Sequence, residues 1–187
     1  MTSTPVSHAA LQPSDWIVRW SHLIKANGTV LDIACGFGRH VQWFHHRGLL
    51  VTGVDRSADA LRSSAHLGKM ILADIENGPW PLMDEAPGAP QPHQFDAVIV
   101  CNYLWRPLFS TILASIKPGG TLLYETFSEG NERYGKPSRP DFLLQPGELL
   151  TACNTLKIIA YEDVLLDAPP RCVQRIAAMR PLADTAP

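Results

Sequence analysis

Val30-Leu31-Asp32-Ile33-Ala34-Cys35-Gly36-Phe37-Gly38-Arg39-His40 reads as a buried strand, a glycine turn and the start of a helix. A backbone that passes close to a bound group needs glycine where a side chain would block the approach. Further on, Val51-Thr52-Gly53-Val54-Asp55 reads as a second strand closed by an acid. A carboxylate at that point can accept hydrogen bonds from ribose hydroxyls. Together the two segments predict an adenosine-containing ligand.

Working outward, Ser14 or Asp15 can cap a helix carrying Trp16, Ile17, Trp20, Leu23 and Ile24. A strand is expected from Val30 to Ala34, a helix through Val41 and Phe44 that ends at Gly48, and a strand from Leu49 to Asp55. Ser57 can cap the next helix, and Met70, Ile71, Leu72 and Ala73 lead as a third strand to Asp74. The prolines between Glu76 and Gln94 predict a surface loop. Phe95-Asp96-Ala97-Val98-Ile99-Val100-Cys101 has the continuous apolar character of a central parallel strand. Pro107 suits the first turn of a helix, and Lys117-Pro118-Gly119-Gly120 predicts a turn before a fifth strand, Thr121 to Glu125. Thr126 to Pro146 reads as loop, and Glu148 opens a short helix. Leu156 to Leu165 and Arg171 to Met179 read as an antiparallel strand pair.

This alternation predicts an α/β fold in which a mostly parallel sheet carries helices on both faces. Ligands of such sheets bind outside the carboxyl ends of the strands. A mobile segment over 1–13, one domain over 14–180 and a tail over 181–187 are expected. With 187 residues, 45% of them hydrophobic, the chain can build one substantial core. Sixteen Lys+Arg against 18 Asp+Glu, a formal charge of −2, give no general attraction to nucleic acid or anionic membrane. No apolar run reaches the roughly 20 residues of a membrane helix, and Met1-Thr2-Ser3-Thr4-Pro5 lacks signal-peptide character, so a cytoplasmic protein is expected. Cys35, Cys101, Cys153 and Cys172 form no CxxC pair, so no metal site is expected.

The dinucleotide fingerprint GxGxxG is the first alternative for the glycine turn, because it also follows a strand and precedes an acid. Counting from Gly36 and Gly38, the third glycine position holds Val41; counting from position 34, the first holds Ala34. A dinucleotide is disfavoured. An acid in the strand followed by small-x-Gly-x-Gly resembles motif I of the class I S-adenosylmethionine-dependent methyltransferases. Asp55 then falls where that family's ribose-binding acid stands, and Ala73-Asp74-Ile75 resembles its adenine-contacting segment. Phe95 to Val100 resembles its motif IV strand, and Lys117 to Gly120 a later turn and strand. Tyr124-Glu125-Thr126-Phe127 with Asn131-Glu132-Arg133-Tyr134-Gly135-Lys136-Pro137 looks like a group of small bacterial methyltransferases related to tellurite-resistance methyltransferases.

The resemblance implies a Rossmann-like sheet of seven strands with an antiparallel C-terminal strand, and S-adenosyl-L-methionine as cofactor. It assigns cofactor contacts to Asp32, Ala34, Gly36, Gly38, Asp55, Arg56, Asp74, Ile75 and Asn102. Gly36 and Gly38 would admit the methionine portion, and Asp32 would help position its amino group. Asp55 would accept the ribose hydroxyls, with Asp74 and the Ile75 backbone at the adenine. Each has a plainer reading: a tight turn, a structural carboxylate, a helix cap, a turn aspartate.

Tyr103, Arg106, Glu125 and Tyr134 are the candidate acceptor residues, with Arg106, Arg133, Lys136 and Arg139 as an anion-attracting rim. Phe127 to Pro140 is long enough for a lid, with Gly130 and Gly135 as flexible points. His40, His45 and His46 are available as bases, but solvent-facing or helix-packing roles suit them better, and no catalytic base is assigned. Cys101-Asn102-Tyr103-Leu104 matches neither the Asn-Pro-Pro-Tyr nor the Pro-Cys motif of methyltransferases acting on nucleic-acid bases, which makes nucleic acid an unlikely partner and favours a small-molecule substrate. Three functions remain: methyl transfer to a small molecule or small anion, an NAD(P)-dependent oxidoreductase, or a non-catalytic S-adenosylmethionine-binding module.

Overall fold

Apolar residues on both faces of a strand demand cover on both sides, and β1 (Thr29–Ile33) meets that demand with a core packed against each face. The computed structural model describes residues 12–84 and 89–182. Residues 1–11 and 183–187 of the expected mobile segment and tail, and Pro87 of the proline-rich loop, lie outside the described residues.

Ser14 accepts from the Trp16 N–H and caps α1 (Asp15–Trp20), which passes into a 3-10 turn, Ser21–Leu23. After β1 come α2 (Arg39–His45), β2 (Leu50–Asp55), α3 (Ala58–Ser64), capped by Ser57, and β3 (Lys69–Leu72). The third strand stops at Leu72, short of Asp74, because Asp74 turns the chain. Its carboxylate accepts from the N–H groups of Glu76 and Asn77 and from the Asn77 amide. The proline-rich loop holds a small antiparallel pair, β4 (Met83–Asp84) and β5 (Gln91–Pro92), where only loop was expected. Then follow β6 (Phe95–Cys101), α4 (Phe109–Ala114), β7 (Ile116–Phe127), α5 (Glu148–Ala152), β8 (Lys157–Asp167) and β9 (Pro170–Met179).

The seven-stranded sheet runs β3-β2-β1-β6-β7-β9-β8. β1, β2, β3, β6 and β7 are parallel, and β9 is antiparallel to both β7 and β8. Leu31 and Ile33 face a core shared with Ile112 of α4 and Leu149 of α5. Val30 faces the opposite core with Trp16 and Ile17 of α1, Val41 and Phe44 of α2, and Leu61 of α3. Every residue of β6 is buried, and each large aliphatic side chain there contributes about 1.5–3 kcal/mol of burial.

The expected turn at Lys117 to Gly120 is an irregularity inside β7. Pairing shifts from Phe95 with Ile116 to Ala97 with Thr121, and Gly119, at φ +75°, donates to the Arg180 carbonyl. Asp96 locks the same end of the sheet, accepting from the Thr29 N–H and hydroxyl and pairing with Lys25 and Lys117. Burial works against its charge, yet these donors hold its carboxyl well below the usual range. No helix among the described residues is long and apolar enough to cross a membrane.

Candidate functional site

Where β1 ends, the chain takes three left-handed steps, at Ala34 (φ +54°), Gly36 (φ +54°) and Gly38 (φ +78°). The two glycines do different work. A Cβ at Gly38 would stand 2.0 Å from the Ser64 hydroxyl oxygen, so this glycine lets α3 pack against the turn. A Cβ at Gly36 would meet nothing within 4 Å, which leaves open space over the backbone. Of the two, only Gly36 has open space where a side chain would stand. Val41, at the third glycine position of a dinucleotide fingerprint, is fully buried in the core of α2. Its side chain fills the space that close helix-strand packing would require.

Asp55 clasps the turn from the end of β2. One carboxylate oxygen accepts from the Gly36 N–H and the other from the Ser57 N–H, each at 2.8 Å. A carboxylate has about four acceptor sites, so half of its capacity is free for other donors. The Ser57 hydroxyl caps α3, so Asp55 is not that helix's cap. A cavity of about 120 Å³ opens beside it, lined by Ala34, Asp55, Arg56, Ala73, Asp74, Ile75, Glu76 and Tyr103. Asp74 stands in that cavity with both oxygens engaged, and the Asn77 amide and the two backbone donors lower its carboxyl. The Tyr103 hydroxyl is buried without a hydrogen-bond partner among the described residues. Burial and the neighbouring Glu76 carboxylate push its phenol up.

Beneath the turn, Asp32 is 1% exposed and one of its carboxylate oxygens has no hydrogen-bond partner. Burial pushes its carboxyl up to about 8, with Arg39 opposing and Asp55 adding to the rise. The His40 Nδ1 lies 4.0 Å from that oxygen, and its Nε2 accepts from the Ser14 N–H at 3.1 Å. The ring therefore carries its hydrogen on Nδ1, facing Asp32. Burial and Arg39 hold His40 down at about 3, so it is neutral. Its place in the core removes it from consideration as a solvent-facing base.

Ends of β6 and β7, the start of α1, the 127–137 loop and the β8–β9 hairpin enclose a larger cavity of about 510 Å³. Asn102 (φ +56°), Glu125 and Tyr134 line it, and Asn102 and Tyr103 continue into an adjoining cavity of about 260 Å³. Glu125 is buried, accepting from the Ser14 hydroxyl at 3.0 Å and pairing with Arg175 at 3.4 Å. Of the two readings open for it, facing the acceptor or binding the loop, its contacts favour an anchoring role towards α1 and β9.

Arg106 is not brought to the site. Its guanidinium forks onto Glu148 at 2.6 and 2.8 Å and also donates to the Asp141 and Leu143 carbonyls. Arg133 pairs with Glu132 and Arg139 with Asp141, so of the expected rim only Lys136 lines the larger cavity. Arg106→Met is expected to cost about 1–3 kcal/mol by removing a charged fork between loop and α5, while cofactor affinity holds. Urea melts and calorimetry on the same variant read the two quantities separately.

Arg39 and Arg171 were not singled out by sequence, yet both line the larger cavity. Arg39 carried a usable signal, since it directly follows the turn. Arg171 carried none, because its position depends on the β8–β9 register. The 127–137 wall is tied at its start to Cys172 of β9 and to Leu144. Ser128 donates to the Cys172 carbonyl, Glu129 to that of Leu144, and Leu144 to that of Phe127. Those contacts favour a fixed wall over a lid for this part of the loop. Among the described residues no group of three or more His, Cys, Asp or Glu could hold a metal ion.

Residues 30–120 match the family described as "Methyltransferase domain". A ubiquinone biosynthesis O-methyltransferase of Stutzerimonas stutzeri is 30% identical over 124 residues, 63% of this chain and 53% of that protein. A putative methyltransferase, YqeM, of Bacillus subtilis is 30% identical over 136 residues, 66% of this chain and 51% of that protein. The chain thus spans about half the length of the curated relatives it matches. Two crystal structures share the fold at TM-score 0.68: a SAM-dependent methyltransferase from Methanosarcina mazei (15% identity, 92% of this chain and 100% of that one) and TehB from Haemophilus influenzae (16%, 95% and 63%). The glycine turn, the Asp55 clasp and the 3-2-1-6-7-9-8 strand order sit together on one scaffold, and that scaffold carries a methyltransferase domain over residues 30–120 with the fold of the S-adenosylmethionine-dependent methyltransferases.

Proposed function

We propose that this chain transfers a methyl group from S-adenosylmethionine to a small molecule or small anion. The observation that carries the reading is the open space over Gly36, with the half-used Asp55 carboxylate on one side and the unpartnered Asp32 oxygen beneath. These features suit the cofactor: a cation meets a buried acid, and a vicinal diol meets a carboxylate with free acceptor sites. Gly36 would admit the methionine portion, Asp32 would oppose its ammonium, and Asp55 would take the ribose hydroxyls. Asp74, Ile75 and Arg56, which share one cavity, would flank the adenine end, and Asn102, which lines the two other cavities, would stand between cofactor and acceptor.

Bound S-adenosylmethionine supplies a methyl group on a sulfonium, whose carbon–sulfur pair returns to sulfur as an acceptor lone pair forms the new bond. The residues around it therefore need to position and desolvate more than to move protons. That division of labour accords with a site whose histidine, His40, is buried and occupied.

Calorimetry should detect both S-adenosylmethionine and S-adenosylhomocysteine, and well-folded protein that binds neither would refute the proposal. Asp55→Ala is expected to weaken both by about 1.5–3 kcal/mol, the scale of a lost hydrogen bond to a charged group. Unchanged affinity in that variant would move the ribose site elsewhere.

A further inference from the structure

Four cations at the carboxyl end of the sheet are already neutralised. Arg106 has Glu148, Arg133 has Glu132, Arg139 has Asp141, and Arg175 has Glu125 and Glu162. Arg39, Lys136 and Arg171 are different. None of them forms an ion pair among the described residues, and all three line the same 510 Å³ cavity. Arg39 is half-buried, with one guanidinium nitrogen donating to the Cys101 sulfur at 3.0 Å and another to the Gln12 carbonyl at 3.5 Å. Those partners are neutral, and burial pushes the Cys101 thiol up to about 12, so no thiolate balances the arginine.

Two carboxylates also line this cavity, and they leave three cations facing one carboxylate that has no ion pair among the described residues. Glu125 is spent on Arg175 and the Ser14 hydroxyl, and Asp15 lies exposed at the first position of α1. The placement of the cations is built, not incidental. Asn131, 1% exposed, accepts from the Cys172 N–H at 3.2 Å and donates to the Pro137 carbonyl at 3.0 Å. One buried amide thus ties together the residues next to Arg171 and Lys136. These two side chains come from β9 and the 127–137 wall, and Arg39 comes from α2 across the cavity.

Guanidinium groups match the planar geometry of a carboxylate, and a half-enclosed cavity screens the attraction less than open water does. A volume of about 510 Å³ suits a small ligand rather than a polymer. We propose that the methyl acceptor is a small organic acid bound as its anion, with Arg39, Arg171 and Lys136 receiving the ionised group. This rests on the methyltransferase reading and names the acceptor class for that same site. The ligand's carboxylate could belong to the acceptor or to the methionine end of the cofactor, and the test separates the two.

Benzoate, 3-phenylpropionate and malonate are titrated against the full chain, with and without saturating S-adenosylhomocysteine, each beside its neutral amide. Wild type should prefer at least one carboxylate over its amide by about tenfold or more, the scale of a charge-assisted contact. Arg171→Gln and Lys136→Gln should erase most of that preference while S-adenosylhomocysteine affinity stays within twofold. Equal binding of acid and amide throughout the set overturns the proposal. So does an Arg171→Gln or Arg39→Gln protein that loses S-adenosylhomocysteine but keeps 5′-methylthioadenosine, which lacks the amino-acid part, because the cations would then serve the cofactor's own carboxylate. Wild type that binds no S-adenosylhomocysteine refutes the methyltransferase reading instead, and the titration without it still reports the anion preference.

Discussion

Gly38→Ala is expected to destabilise the protein by about 3 kcal/mol or more, whereas Gly36→Ala should cost only about 1–2 kcal/mol and strike ligand binding instead. Both residues have positive φ, so both variants carry the backbone strain of an L-residue in the left-handed region. Only Gly38 adds a collision, since its Cβ would lie 2.0 Å from the Ser64 oxygen and 2.7 Å from the Ser64 Cβ. Ser64 cannot swing away freely, because its hydroxyl donates to the Phe37 carbonyl inside the same turn. Adding Ser64→Gly should recover the steric part and leave the strain, a coupling that a double-mutant cycle measures. In thermal melts, 3 kcal/mol corresponds to a fall of roughly 6–12 °C for a domain of this size. Gly36→Ala should retain most of its stability and lose S-adenosylhomocysteine affinity about tenfold or more, as a methyl group enters the open space over the turn. Equal destabilisation by the two substitutions, or unaltered affinity in Gly36→Ala, would defeat this division of roles.

Sequence alone presents the two glycines as equivalent, because what separates them is Ser64, twenty-six residues away on a different helix. The sheet itself was far more legible. β1, β2 and β6 are mostly apolar runs, ended by the Ala34 turn, by Asp55 and by the Cys101-Asn102 step, and such runs have few alternatives to a strand buried on both faces. Ser14 and Ser57 announce their helices through a local bond of two or three residues. Polar partnerships across the sheet leave no such local trace. Arg106 reads as free in the sequence, yet Glu148, forty-two positions on, closes its fork. Arg171 enters the site because β9 pairs in one register with β7 and in another with β8, placing Val173 opposite Phe127 and Arg171 itself opposite Leu166. Lys117 to Gly120 has the composition of a turn, but Arg180 supplies backbone partners that draw it into a strand.

Cofactor affinity should rise with pH through the neutral range, by roughly tenfold per unit between pH 6 and 7.5, because binding drives a proton off Asp32. Burial holds this carboxyl at about 8 in the unliganded protein, so it is neutral over most of that window. An ammonium or sulfonium beside its unpartnered oxygen favours the charged form, and the proton must leave for the pair to form. Arg39 and Asp55 are the charged neighbours that act on Asp32. His40, at about 3, and the Cys35 thiol, pushed far up by burial, do not change protonation between pH 6 and 7.5. Stopping at 7.5 also keeps the cofactor's α-amino group, ordinarily near 7.7–8.0, mostly charged. For the unliganded protein the sign is opposite. A carboxyl raised on folding binds its proton more tightly in the native state, so its stabilising effect fades as pH climbs from about 4 towards 8. Asp32→Asn mimics the neutral form and should fold, flatten both pH dependences and bind the cofactor more weakly at pH 7.5. Calorimetry in buffers of different ionisation enthalpy should count up to one proton released per cofactor by wild type and none by the variant. A pH-independent affinity in wild type would mean that Asp32 stays protonated beneath the bound cofactor, holding the turn and leaving the ammonium to other groups.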